Sequence, residues 1–202
     1  MIDSKHYSED YYRTSNYADY MERADRYKRT ASEIAELLRK LNLAGKNTSI
    51  LDYGCAVGFL VEGLREVGYS QAKGFEISSW AAAQGRKRGL EIIEDLEVFN
   101  EPGTITDVML SLDVFEHMSN QQINTAVNAI KPNVILARIP TAEKEGGAFH
   151  LEISRKDPTH INCKTTNQWI DLFRSLGYQT FLKLNLYTVY HSPGVACLLM
   201  IK

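Results

Sequence analysis

A chain of 202 residues with 44% hydrophobic and 24% charged residues has the balance of one globular domain, whose core needs neither disulfides nor a structural metal. Its formal net charge of -2 gives no general attraction to nucleic acid or to an anionic membrane. Cys55, Cys163 and Cys197 lack Cys-x-x-Cys spacing, no run approaches membrane-spanning length and the polar N-terminus has no apolar signal core, so a reduced, cytoplasmic location is expected.

In chain order, residues 5–29 interleave Tyr7, Tyr11, Tyr12, Tyr17, Tyr20 and Tyr27 with charges, a composition that suits a mobile cover better than a core element. A helix is expected over Ser32–Leu41, with Ile34, Leu37, Leu38 and Leu41 at helical spacing, and Ala44–Asn47 ends it. Ser49–Tyr53 reads as a buried strand stopped by Gly54, and Val57–Val67 as a helix closed by Gly68. Ala72–Ile77 is a second strand, and Ser78 caps a helix running through Arg88. Leu90–Ile93 and Asp107–Asp113 follow as strands, then a helix from Ser119 to about Ile130 and a fifth strand over Asn133–Ile139. Strands alternating with helices at this spacing predict βαβ units and a mostly parallel sheet. The ending differs: a helix over Thr165–Leu176, with Trp169 and Phe173 as core, precedes strands at Tyr178–Tyr187 and Val195–Ile201. The turn signal Ser192-Pro193-Gly194 between those strands predicts an antiparallel hairpin.

The segment Leu51-Asp52-Tyr53-Gly54-Cys55-Ala56-Val57-Gly58 joins a strand to a helix through a glycine turn, and glycines let a backbone approach a ligand closely. Ligands of open α/β sheets settle beyond the carboxyl ends of the strands. Two further acids stand at such ends. Glu76 closes the second strand, placed to accept from both hydroxyls of a ribose, and Asp95 follows the third, placed to accept from an adenine amino group. The Gly-x-x-x-Gly spacing does not match the Gly-x-Gly-x-x-Gly of a dinucleotide site, and no phosphate loop of the Gly-x-x-x-x-Gly-Lys-Ser/Thr kind occurs. A ligand with ribose and adenine but no phosphate fits better than a nicotinamide dinucleotide.

These motifs resemble those of class I S-adenosylmethionine-dependent methyltransferases. Ile50–Gly58 looks like their first motif, Gly74-Phe75-Glu76-Ile77-Ser78 like their acidic second-strand motif, and Asp107–Met118 like their fourth-strand motif. The resemblance runs from about residue 48 to the C-terminus and is weak before residue 45. It implies a Rossmann-like α/β fold, a seven-stranded mostly parallel sheet with helices on both faces and a C-terminal antiparallel hairpin. Residues 1–202 then form one methyltransferase domain, in which 1–45 are a helical N-terminal cap and 46–202 the Rossmann-like core. Carried over, Asp52, Gly54, Cys55 and Gly58 bound the methionine moiety of S-adenosyl-L-methionine. Glu76 with Ile77 holds the ribose, Asp95 with Leu96 the adenine, and Leu112 with Asp113 the floor near the sulfonium. Ala56 and Val57, where the family often has Gly or Thr, and Phe115 in place of Leu are departures.

Methyl transfer needs an acceptor held in line with the methyl carbon, and an acceptor of high pKa also needs a base. His160 and His117 are the catalytic candidates, His160 first, because the fifth-strand loop is longer and Asp157 can orient its imidazole. Their bland alternative is hydrogen bonding within loops. Arg138 at the end of the fifth strand could meet an anionic acceptor or a neighbouring acid. His150, Glu152 and His160 offer ligand atoms, but nothing places them on one face, and no metal is expected. The expected acceptor is a small molecule methylated at O, N or C, since the chain adds no substrate domain and its charge disfavours nucleic acid. No membrane partner is expected. The alternatives are a protein or RNA methyltransferase, although the Asn/Asp-Pro-Pro-Tyr/Phe motif for planar base amines is absent, and a non-catalytic cofactor-binding subunit.

Overall fold

The computed structural model describes residues 7–13, 19–189 and 192–202; Tyr17 and parts of the expected N-terminal cap lie outside them. The strands are β1 (Ile50–Tyr53), β2 (Lys73–Phe75), β3 (Ile92–Ile93), β4 (Val108–Leu112), β5 (Val134–Pro140), β6 (Thr180–Leu184) and β7 (Val195–Ile201). They form one sheet in the order β3-β2-β1-β4-β5-β7-β6. The first five pair in parallel, whereas β7 runs antiparallel to both β5 and β6, as the hairpin prediction requires.

The helices are α1 (Ala24–Lys40), α2 (Phe59–Glu66), α3 (Ser79–Lys87), α4 (Asn120–Ile130), α5 (Glu152–Lys156) and α6 (Thr166–Ser175). Central strands are apolar throughout because both faces of the sheet are covered. Ile50, Val108, Leu110, Val134 and Leu136 pack on one face with Ile34 and Leu38 of α1 and Leu60 and Leu64 of α2. Their neighbours Leu51, Met109, Ile135 and Ala137 pack on the other face with Ile123 and Val127 of α4 and Trp169 and Phe173 of α6. The period of two in the strands meets the period of 3.6 in the helices, so both cores close. Helix starts are set by side chains. Ser119 with Gln122, and Thr165 with Gln168, form reciprocal capping boxes, and Ser78 accepts from the backbone N–H of Ala81.

Several boundaries differ from the sequence reading. Helix α1 begins eight residues earlier than expected, at Ala24, because Tyr20 and Tyr27 pack on Phe59 and give its first turns an aromatic rather than an aliphatic face. Helix α2 starts at Phe59, since Gly58 is left-handed with φ 86°. Strand β6 spans only Thr180–Leu184. Tyr178 before it is fully buried with its hydroxyl on the Pro132 carbonyl at 2.8 Å, and after it Tyr187 N–H turns to Glu33 of α1 at 2.6 Å. The short α5, within the loop after β5, had no periodic signal in the sequence.

Candidate active site

Strand order reverses between β1 and its two neighbours, with β2 on one side and β4 on the other, which opens a crevice at the carboxyl edge of the sheet. A cavity of 1380 Å³ occupies it, lined by strand ends (Asp52, Tyr53, Glu76, Leu112, Asp113, Arg138), the glycine turn and the N-terminal tyrosines. The turn is pinned from below: the N–H groups of Gly54 and Cys55 both donate to the Phe75 carbonyl at 2.8 and 3.0 Å. Gly54 has φ 79°, and Ala56, at φ 48°, holds a conformation that favours glycine. Glu76 supports that residue. One carboxylate oxygen accepts from Ala56 N–H at 2.8 Å and the other from Ser78 N–H at 2.7 Å. Glu76 is thus both a buried acceptor facing the cleft and the strut of the turn.

Asp52 lies beneath the turn at the end of β1. Burial, with the Glu76 charge adding, pushes its carboxyl up to about 8. The Cys55 thiol points away from the cleft into the core beside Gly74, and burial pushes its pKa up, so only its backbone belongs to the cleft wall. Gly58 does not line the cavity: a side chain there would strike Leu90, so this glycine serves helix–sheet packing. Ile77 and Leu96 line the cavity. Asp95 is exposed and outside the lining, and its carboxylate accepts from Glu97 N–H at 2.9 Å, capping the 3-10 turn Leu96–Asn100. Its side chain thereby helps to present Leu96 to the cavity.

At the other end of the cavity, Asp113 (φ 58°) pairs with Arg138, which answers the choice left open for that arginine in favour of the neighbouring acid. Beyond it, a 3-10 turn at Phe115–His117 carries Glu116 and His117. The loop after β5 is stitched to this turn. Ile161 and Asn162 N–H both donate to the Glu116 carbonyl at 2.9 Å, and Asn162 Nδ2 donates to Met118 O at 2.7 Å. That stitching brings His160 against His117, with ring centroids 4.6 Å apart, edge to face.

Asp157 backs both imidazoles. Its Oδ1 accepts from the Thr159 hydroxyl at 2.5 Å, and that same hydroxyl lies 2.8 Å from His117 Nδ1. A hydroxyl has one proton, so once it is given to Asp157 the Thr159 oxygen accepts from His117 Nδ1–H, and Nε2 carries the lone pair. Asp157 Oδ2 stands 3.7 Å from His160 Nε2. Burial works against the charge on Asp157, yet the two Thr159 hydrogen bonds and the nearby His160 hold its carboxyl below the ordinary value. Burial lowers the pKa of His160, against the pull of Asp157 and Asp113, and keeps the ring neutral near neutral pH. Glu116 is fully buried, and neither of its carboxylate oxygens has a hydrogen-bond partner among the described residues. One ligand atom each from Glu116, His117 and His160 lie within 4.8 Å of one another. This set differs from the His150, Glu152 and His160 group weighed in the sequence: His150 leans on Glu143 instead, at 3.6 Å. Glu116 and Thr159 escaped the sequence reading; the only hint was an acid directly before a histidine past the fourth strand.

Tyr7, Tyr11, Tyr12, Tyr20 and Tyr27 roof the cavity in a chain of ring contacts, and Ser78 Oγ donates to the Tyr7 carbonyl.

Residues 20–182 match a family model described as a methyltransferase domain. The chain belongs to that methyltransferase family. No curated protein matches it significantly. Among solved structures, this methyltransferase is similar to an S-adenosylmethionine-dependent methyltransferase from Archaeoglobus fulgidus, at 15% identity over 83% of this chain and 92% of that one, TM-score 0.61. It is also similar to magnesium protoporphyrin IX methyltransferase from Synechocystis PCC 6803 with bound S-adenosylmethionine, at 14% identity over 100% and 98%, TM-score 0.61. The plantazolicin methyltransferase BpumL, solved with a triazolic desmethyl analogue and S-adenosylhomocysteine, shares 15% identity over 88% and 85%, TM-score 0.61. The seven-stranded sheet with its antiparallel last strands is the fold they share. No described helix is long and apolar enough to cross a membrane.

Proposed function

We propose that this methyltransferase transfers the methyl group of S-adenosyl-L-methionine to a small-molecule acceptor held beside His117 and His160. The observation that carries this reading is one continuous cavity joining the glycine turn to the histidine pair. Its 1380 Å³ exceeds the roughly 300–1,000 Å³ of a one-ligand pocket, which leaves room for a cofactor and a small acceptor together. Asp52, Gly54 and the Cys55 backbone bound the methionine end, Glu76 and Ile77 the ribose, Leu96 the adenine, and Leu112 with Asp113 the floor at the methyl group. The tyrosine roof, part of the N-terminal cap, keeps water from the sulfonium. His160 and His117 activate the acceptor. Incubating the protein with methyl-labelled donor and a metabolite extract should place label in a small molecule; label appearing only in protein or RNA would overturn the acceptor class.

The ribose grip is testable at Glu76. Its oxygens accept from the Ala56 and Ser78 N–H groups, and the carboxylate faces the cavity. Losing a buried, charge-assisted pair costs about 1.5–3 kcal/mol, so Glu76→Ala should weaken cofactor binding roughly ten- to a hundred-fold. Because the same change orphans Ala56 N–H and Ser78 N–H, melting temperature should fall too, and Glu76→Gln, which can still serve one of them, should lose affinity with less loss of stability. Calorimetry showing wild-type affinity in a folded variant removes Glu76 from the site.

Asp52 adds a pH signature. With its folded value about 8, it is protonated at pH 7 in the cofactor-free protein. The ammonium and sulfonium of the cofactor favour its ionised form, so binding should release up to one proton. Calorimetry at pH 7 should therefore give an enthalpy that varies with the ionisation enthalpy of the buffer, and Asp52→Asn should lose that variation. The linked stability effect has a definite sign. The folded chain holds a proton that the unfolded chain, with an Asp value of about 3.9, has released, so cofactor-free stability falls as pH rises from about 4 to about 8. A buffer-independent enthalpy would separate Asp52 from the cofactor's charges.

A further inference from the structure

We propose that Glu116, His117 and His160 form a binding site for one divalent transition-metal ion at the acceptor end of the cavity. Three independent features point there. One ligand atom from each residue lies within 4.8 Å of the others, close enough for a single ion to sit between them. Glu116 is fully buried with both carboxylate oxygens lacking any hydrogen-bond partner among the described residues, and buried charges are paired or coordinate metals. The imidazoles are also held as ligating imidazoles usually are, with a carboxylate behind them that fixes ring orientation and raises ligand basicity. Here one carboxylate, Asp157, does so for both rings, through the Thr159 hydroxyl to His117 at 2.8 Å and directly toward His160 at 3.7 Å.

The backbone is built to keep the set together. The β5–α6 loop delivers His160 onto the Glu116 turn through two N–H groups on one carbonyl, so the three donors, 44 residues apart in sequence at most, move as one unit. Two nitrogens and one oxygen suit zinc, manganese, iron or cobalt in the divalent state and suit magnesium or calcium poorly, because those prefer all-oxygen shells.

All three residues line the cavity, so the remaining coordination positions face the acceptor. This names the acceptor class and rests on the methyl-transfer reading above: a hydroxyl or phenol oxygen. Bound to the ion, that group loses its proton to solvent, because a divalent cation lowers its pKa. The oxyanion then attacks the methyl carbon, forming the O–C bond as the S–C bond breaks, and the cofactor leaves as a neutral thioether. The histidines then serve as ligands, and the ion does the work of a base.

Chelator-treated full-length protein titrated with Co²⁺ should take up one ion per chain, with visible absorption from nitrogen coordination and a raised melting temperature. Mg²⁺ in excess should not displace it. Glu116→Gln, which keeps the shape and removes the charge, should lose the bound ion, as should His160→Gln, while both still bind S-adenosylmethionine. Asp157→Asn should weaken Co²⁺ affinity about 10- to 100-fold. No saturable uptake of Co²⁺, Zn²⁺ or Mn²⁺, or uptake unchanged in Glu116→Gln, overturns the site. Histidine variants that lose methyl transfer in a protein taking up no metal would also overturn it, leaving the imidazoles as bases. Metal uptake in a protein that binds no S-adenosylmethionine would support the metal site and sink the methyl-transfer reading instead.

Discussion

His160→Ala should lower turnover about 10²- to 10⁴-fold while S-adenosylmethionine affinity barely moves, the size of effect expected when the group that activates the acceptor is lost. The expectation follows from what holds each residue. His160 stands edge-on to His117 and against Phe149, whereas Glu76 is held by the Ala56 and Ser78 N–H groups of the glycine turn and α3. His117→Ala should cost a comparable factor, because Thr159 and Asp157 hold that ring in the tautomer with its lone pair on Nε2. Thr159→Val removes the link and leaves both rings in place, so it should reduce turnover less than either histidine variant without altering cofactor binding. Steady-state rates against calorimetric affinities separate these cases. Full turnover in both alanine variants would mean that the acceptor is activated elsewhere.

Gly54→Val should abolish cofactor binding. At φ 79° a β-branched side chain is strained from the outset, and its Cβ would lie 2.5 Å from Val114 Cγ2 and 3.0 Å from Cγ1. Relief requires either the glycine turn to rise into the space of the methionine moiety or Val114 to retreat. Val114 leads directly into the Phe115–His117 turn, so its retreat disturbs the histidine end as well. Overpacking of this kind costs roughly 1–3 kcal/mol of stability, a cost the domain should survive, whereas affinity should fall below detection by calorimetry. A folded variant with wild-type affinity would place the cofactor outside this turn.

How much of this was legible in the sequence depends on the range of the interaction. The strands, the glycine turn and Glu76 were readable because each rests on residues within a few positions: an apolar run, a turn glycine, an acid at a strand end. Capping at Ser78 and the helix start at Ser119 were equally local. Glu116 was invisible for the opposite reason, since an acid between Phe115 and His117 looks like an ordinary turn residue. Only the fold shows that it is fully buried beneath the loop after β5, its carboxylate without a hydrogen-bond partner among the described residues. The backing of two histidines by one aspartate joins positions 117, 157, 159 and 160 across a loop whose path no periodicity predicts. The cap that Asp95 forms was not read, because a carboxylate after a strand suits capping the next turn as well as meeting an adenine. The first turns of α1 were missed because tyrosines separated by charges carry their apolar surface on rings rather than on an aliphatic stripe.

The roof over the cavity also supplies a built-in optical reporter. The chain has two tryptophans. Trp169 is fully buried between α6 and the sheet, outside the cavity lining. Trp80, half-buried at the start of α3, stacks on Tyr12 with centroids 5.4 Å apart and planes at 23°, and Tyr12 continues into Tyr11 and Tyr20. Any shift of the N-terminal segment therefore changes the polarity and ring contacts of one indole and leaves the other as an internal reference. If the roof moves when cofactor or product binds, emission should shift with it, and Trp80→Phe should remove the change while leaving the Trp169 signal in place.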